Sequence, residues 1–294
     1  MSIITTAPAV PSRLFALYSA LLPSAAGELK DRFESWATPP SIRTRGASDD
    51  AGERPTELFS SALREAKKLG LIEEDDERIK VTEEARGKSG KTSPEVRFKS
   101  HLVKVLFDPL RAEAAGQTGF AMALAWFLRR NPLEPMGFGD DPRNELRNEL
   151  GDDVALTELT NLNSFQNFIY WARYLGFATL LGTKETRWTI PDPFSAIREV
   201  LPGLFAEASE LPINILIAGL ARIYPVFEGG VSRLTIEQLA LSPDVDANSR
   251  RLSPATSLAL QRLLSLTIRA DAPAVIFDFG GSPRRVSHVA KKAN

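Results

Sequence analysis

Ala66-Lys67-Lys68-Leu69-Gly70-Leu71-Ile72, a polar gap, then Ile79-Lys80-Val81-Thr82: this stretch decides the reading of the chain, because it recurs. The second copy is Ala172-Arg173-Tyr174-Leu175-Gly176-Phe177-Ala178, a gap, and Arg187-Trp188-Thr189-Ile190-Pro191. A weaker third copy runs Leu260-Gln261-Arg262-Leu263-Leu264-Ser265-Leu266, then Val275 to Phe279, a Gly280-Gly281 turn, and Arg284 to Val289. Each reads as an amphipathic helix that stops at a small residue and runs into a hairpin. Glycine takes the left-handed conformation without a Cβ penalty, so the chain can turn straight from helix to strand. A helix leading at once into a two-stranded wing is how a winged helix-turn-helix ends, a shape used to lay a helix in the DNA major groove. The same ending also closes other small α+β domains, and winged helices also dock proteins, so the pattern alone does not settle function.

The expected fold class is therefore mainly α with small β-hairpin wings (α+β), in tandem winged helix-turn-helix domains. Leu14, Leu17, Tyr18 and Leu21 give a first core helix, Ser24 a cap for a second through Trp36, and Pro55 the start of a third. The polar run 86–94 reads as a linker. Leu234-Thr235-Ile236 reads as a short strand, and Ser253-Pro254 opens the last long helix. The expected domains are residues 1–92, including the linker, 93–193, and 194–294 with a basic tail.

At 294 residues, 43% hydrophobic and 25% charged, the composition is that of a globular protein of two or three domains. The absence of cysteine excludes disulfides, thiolate nucleophiles and Cys-based metal sites, and fits a cytoplasmic setting. The first residues carry no basic segment ahead of an apolar core, and no stretch approaches a membrane span. Net charge is −1 but uneven: residues 248–294 hold eight basic and two acidic side chains, a net of +6, while Glu73-Glu74-Asp75-Asp76-Glu77 sits in the first wing. A basic end attracts phosphate and an acidic wing repels it.

Catalytic chemistry finds little support. Ala85-Arg86-Gly87-Lys88-Ser89-Gly90-Lys91-Thr92 fits a relaxed phosphate-loop pattern, and Ala274 to Asp278 resembles a strand ending in a magnesium-binding Asp. A working phosphate loop needs a buried strand before it and a parallel sheet around it, which the flanking sequence lacks. His101 and His288 are far apart and form no ligand pair; His101 reads as a surface or boundary residue. Asp140-Asp141 and Asp152-Asp153 read as solvated loop caps. No enzyme activity, metal or cofactor is expected.

Nucleic-acid contact is the better-supported chemistry. Exposed residues near the start of the last helix of a winged helix reach base edges, and wing residues reach phosphate. In the first copy these are Arg54, Thr56, Glu57, Ser60, Ser61, Arg64, Lys67 and Lys68; in the second, Asn161, Asn163, Gln166, Asn167, Lys184 and Arg187; in the third, Arg250, Arg251, Arg262 and, at a wing tip, Arg284 and Arg285. Asn and Gln can read adenine bidentately, though both are also common surface residues, and a basic run is often only a solvated face. Tyr170, Trp171, Tyr174, Phe177 and Trp188 read as packed core.

Pro11-Ser12-Arg13-Leu14, Ala62 to Ile72, Ala123 to Leu128 and Phe168 to Phe177 together resemble the DpdG-like family, bacterial proteins of gene clusters that put 7-deazapurines into DNA and restrict DNA lacking the mark. The resemblance spans most of the length and rests on structural motifs. It implies a non-catalytic DNA-binding or assembly subunit of a defence complex whose partners supply helicase and nuclease activity. A stand-alone winged-helix transcription regulator and a nucleotide-dependent enzyme using residues 85–92 are the alternative readings.

Overall fold

The computed structural model describes residues 2–38, 55–87, 92–183, 186–240 and 251–292, the side chains of Pro55 and Thr56 excepted. Arg54, Lys184 and Arg250, the Thr56 side chain and the Lys88–Lys91 part of the phosphate-loop pattern therefore lie outside the described residues. The fold is α+β, mainly helical with small sheets. Two compact units divide it, Met1–Gln117 and Thr118–Asn294.

The first unit opens with α1 (Pro11–Leu21), β1 (Glu28–Leu29), α2 (Lys30–Ala37), α3 (Pro55–Lys68), β2 (Ile72–Asp75) and β3 (Arg78–Val81), the strands forming a sheet in the order β1-β3-β2. Periodicity explains α1: Leu14, Leu17, Tyr18 and Leu21 are its buried face. Ser24 does not cap α2; its hydroxyl donates to the Gly27 carbonyl at 3.0 Å, and β1 intervenes. The helices α4 (Glu83–Arg86), α5 (Pro94–Phe107) and α6 (Pro109–Ala114) complete the unit. They were expected to fall partly in the middle domain. They belong here because Phe98 of α5 packs its ring 5.4 Å from Phe15 and 5.3 Å from Tyr18.

The second unit repeats the order of the first. α7 (Thr118–Phe127), β4 (Met136–Gly137), α8 (Arg143–Leu150), a 3-10 turn (Gly151–Thr157), α9 (Leu162–Leu175), β5 (Ala178–Gly182) and β6 (Arg187–Pro191) give the sheet β4-β6-β5. α7 is buried on nearly every side, and Phe168 of α9 sits against its Phe120 and Phe127 at 5.9 and 5.6 Å. Each such ring removed from water contributes roughly 2–3 kcal/mol.

The order then occurs a third time, interrupted. α10 (Phe194–Leu204), β7 (Glu210–Pro212), α11 (Ile213–Ile223), α12 (Val231–Leu239), β8 (Arg251–Leu252), α13 (Pro254–Leu263), β9 (Leu264–Thr267), β10 (Val275–Asp278), β11 (Pro283–Val286) and β12 (His288–Lys291) make two sheets, β7-β12-β9 and β11-β10-β8. Leu234-Thr235-Ile236 is helical, inside α12. The strands that occupy the hairpin position are β9 and β12, paired from Leu264 with Lys291 to Thr267 with His288. The expected third hairpin, β10 with β11, is an insertion between them that pairs with β8 instead. Phe177 joins the second and third blocks, its ring 5.2 Å from Tyr224 and 6.0 Å from Phe227.

Candidate nucleic-acid interface

In each block one helix leads into the paired strands: α3, α9 and α13. Asn161 caps α9, accepting from the Ser164 amide at 2.8 Å while Ser164 Oγ accepts from the Asn161 amide, a closed capping box. Gly176 ends the helix at φ +93°, as Gly70 follows α3 at φ +64°. The copies are in register: Glu57, Ser60, Arg64 and Lys67 each have their counterpart 106 positions on, at Asn163, Gln166, Tyr170 and Arg173. That i, i+3, i+7, i+10 spacing is one helix face, and all eight residues are exposed except Gln166, which is half-buried.

The three blocks differ in what engages their cations. In the first, Lys67 pairs with Glu74, Lys68 with the buried Glu65 at 3.1 Å, and Arg64 with Glu65 at 3.4 Å. Glu74 also takes Lys30 at 2.8 Å, and the hydrogen bonds from Lys30 and Lys67 hold its carboxyl below the usual range. Glu65 of α3 and Glu74 of the hairpin therefore neutralise the cations of α3 between them.

In the third block this helix is covered. Ala255, Thr256, Ser257, Ala259 and Leu260 of α13 are all buried, and only its last turn, at Gln261 and Arg262, is exposed. Arg262 meets Asp192 at 3.3 Å and lies 4.1 Å from the Phe194 ring centre. Arg251 meets Asp278 at 2.9 Å. Arg284 and Arg285 do not stand at a wing tip. They lie within β11, where Arg284 donates to the Leu266 carbonyl at 3.3 Å and Arg285 is exposed opposite Ile276. The turn before them packs on the second block, since a Cβ on Gly280 would come within 2.8 Å of Leu133 Cδ1. Asp278 accepts from the Gly280 and Gly281 amides, so its carboxylate shapes that turn.

In the second block the cations beside α9 stand differently from those of α3 and from Arg251 and Arg262. Arg173 is exposed, and neither it nor Arg187 forms an ion pair among the described residues. Gln166, Tyr170 and Arg187 converge on one buried residue, Phe138, which follows β4: the first on its backbone carbonyl, the other two on its ring. Gln166 Nε2 donates to the Phe138 carbonyl at 3.3 Å; the Tyr170 ring lies 5.5 Å from the Phe138 ring; the Arg187 guanidinium lies over it at 4.6 Å. Asn163 is exposed on the same helix face. Asn167, expected to read bases, is 6% exposed because it falls on the packed face with Phe168 and Trp171. Of the aromatics expected in the core, Trp171 and Phe177 are there, whereas Tyr170 and Trp188 are 37% and 47% exposed. Trp188 pairs across the hairpin with Leu181, itself exposed, on the outer face of the wing.

Sequence reasoning missed Tyr170, Arg173 and Phe138 as members of one surface. The register of the two copies is the signal that could have found the first two.

His101 is not a surface residue: it is 4% exposed, and burial pushes its imidazole down from the usual range. Ala85 lies in the short helix α4 rather than at the end of a buried strand, and β3 before it runs antiparallel to both neighbours. Among the described residues no cluster of His, Asp and Glu could hold a metal ion, and no helix is long and apolar enough to cross a membrane.

No curated protein and no solved structure gives a significant match to this chain. The model of the DpdG-like family matches residues 1–271, and the chain belongs to that family.

Proposed function

We propose that this chain is a non-catalytic DNA-binding subunit of a bacterial DNA-modification and restriction system, and that its second block does the binding. The three blocks are read as winged helices: the first two have the order helix, short strand, helix, helix, hairpin, the third adds a helix and two insertions to it, and in all three the first strand pairs with the last. Family membership supports the gene-cluster setting, in which helicase- and nuclease-class partners would supply catalysis.

One observation carries the choice of block. The cations of α3 are engaged by carboxylates, α13 is covered, and Arg173 and Arg187 beside α9 are free of ion pairs among the described residues. Only cations not already neutralised can release counterions from DNA, and each phosphate contact adds about 0.9 to the log–log salt slope on duplex.

The test is fluorescence anisotropy of the full chain with a labelled duplex over a range of salt. Arg173→Ala should lower the slope by about 0.9, and Arg64→Ala should leave it unchanged. Absence of duplex binding by the wild type at low salt, or equal effects of the two substitutions, would overturn the assignment.

A further inference from the structure

We infer that the junction of α9 with its wing, formed by Gln166, Tyr170 and Arg187 around Phe138, takes an unstacked DNA base rather than only the backbone of a paired duplex. The inference rests on the second block being the DNA-binding one, and it names what that surface recognises.

The register of the copies supplies the first argument. Where α3 presents Arg64, α9 presents Tyr170 at the equivalent position. A cation on that face would serve phosphate. A neutral aromatic adds nothing to counterion release, but it offers a flat π-face on which any base can stack.

The geometry around Phe138 supplies the second. The Tyr170 and Phe138 rings meet at 58° with centroids 5.5 Å apart, so Phe138 braces one side of the tyrosine while Tyr170 as a residue stays 37% exposed. A braced ring loses little conformational freedom when a base settles on it, which keeps the cost of binding low. Gln166 is fixed as well. One of its amide N–H groups is committed to the Phe138 carbonyl, leaving the side-chain oxygen and the second N–H for a base edge. That pair of groups can address a base that exposes a donor beside an acceptor, as adenine does.

Charge supplies the third. Arg187 over Phe138 and Arg173 one helical turn beyond Tyr170 flank the ring with positive charge that no carboxylate cancels among the described residues. A stacked base brings its own phosphates with it, and these two cations stand where a flanking backbone needs them. The same combination of aromatic face and basic flank is how proteins hold single strands without a deep pocket.

The experiment measures binding of the full chain to three labelled DNAs of equal length: a paired duplex, the same duplex carrying one unpaired nucleotide, and a single strand. Tyr170→Ala should weaken binding to the bulged duplex and the single strand by roughly tenfold, while paired-duplex affinity changes less than twofold. Tyr170→Phe keeps the ring and should bind all three as wild type. A Trp36→Phe background adds a structural control through the fluorescence of the remaining tryptophans, reporting whether Tyr170→Ala is folded. If Tyr170→Ala weakens all three DNAs equally, or none, the inference is wrong although the second block still binds DNA. If the wild type binds none of the three at low salt, the DNA-binding reading falls with it, and the exposed aromatics serve a protein partner.

Discussion

His101 donates from Nε2 to the Leu69 carbonyl at 2.8 Å, tying α5 to the end of α3. The bond leaves Nδ1 as the unprotonated nitrogen, and that atom is buried without a hydrogen-bond partner. Gly70 lies beside the ring: a Cβ there would stand 3.7 Å from Nε2, an ordinary van der Waals contact. Protonating the imidazole would place a charge, and a second N–H, where nothing receives them.

Stability should therefore depend on pH through this residue. Its folded pKa is lowered from 6.5 by burial, so below about 6.5 the unfolded chain binds a proton that the folded chain refuses. The contribution of His101 is full above that pH and is lost as pH falls beneath it. Urea unfolding should give a lower midpoint at pH 5.5 than at pH 7.5, and His101→Gln, which retains an N–H donor, should flatten the difference. An unchanged pH dependence in the variant would show that other groups set it.

The two helix-ending glycines should not respond alike to alanine. Gly70→Ala would set its Cβ in ordinary van der Waals contact with His101 and pays only the left-handed backbone penalty, about 1–2 kcal/mol. Gly176→Ala pays that penalty and also drives a Cβ to 2.9 Å from the Ala196 nitrogen and 3.0 Å from Ser195 Cβ. Its cost should exceed that of Gly70→Ala by at least about 1 kcal/mol, read as the difference in denaturation midpoints.

The repeat was legible where its signals are local. Gly70 and Gly176 mark helix ends, Ser253 a cap, and the apolar spacing of α1, α3 and α9 their buried faces; all lie within a few residues of the feature they specify, whereas Asn161, read as a base contact, is a cap. The third hairpin was not legible, because β9 and β12 pair across the inserted residues 268–287, and a nearer strand pair offered a false partner. Strands as short as β1, β4 and β8 are too brief to show a period. The site suffered from the same limit. Lys67 reads as a free cation until Glu74 is folded against it, and Arg262 until Asp192 is. Asn167 and Tyr170 sit three residues apart on one helix, yet only tertiary packing says which is buried.

Arg233 holds the third block by charge. It is 5% exposed, pairs with Glu237, and stands 3.4 Å from Glu228, which also accepts from the Ser253 amide at 2.8 Å and from Thr256 Oγ1 at 3.1 Å. Arg233→Ala would leave the Glu228 carboxylate buried without its cation, at a cost of about 3–5 kcal/mol. Glu228→Gln keeps an acceptor for Ser253 and should cost less. Thermal unfolding of the two variants checks the order; a smaller loss for Arg233→Ala than for Glu228→Gln would show that the hydrogen bonds, not the ion pair, hold this region.

Glu74 offers the sharpest test of the proposal that ion pairing keeps the first block from DNA. Its carboxylate takes hydrogen bonds from both Lys30 and Lys67, so Glu74→Gln removes one negative charge and releases two cations beside α3. The pairs are partly exposed, so the loss of stability should stay under about 1 kcal/mol. Electrostatics should change far more. Duplex affinity at low salt should rise, and the log–log salt slope should steepen by about 0.9 for each lysine that gains a phosphate. The gain should vanish at high salt, because it is entirely counterion release. Combining Glu74→Gln with Lys67→Ala should return the slope part of the way. If Glu74→Gln leaves both affinity and slope unchanged, ion pairing is not what keeps α3 from DNA, and the face it presents is better explained as one that never approaches the duplex.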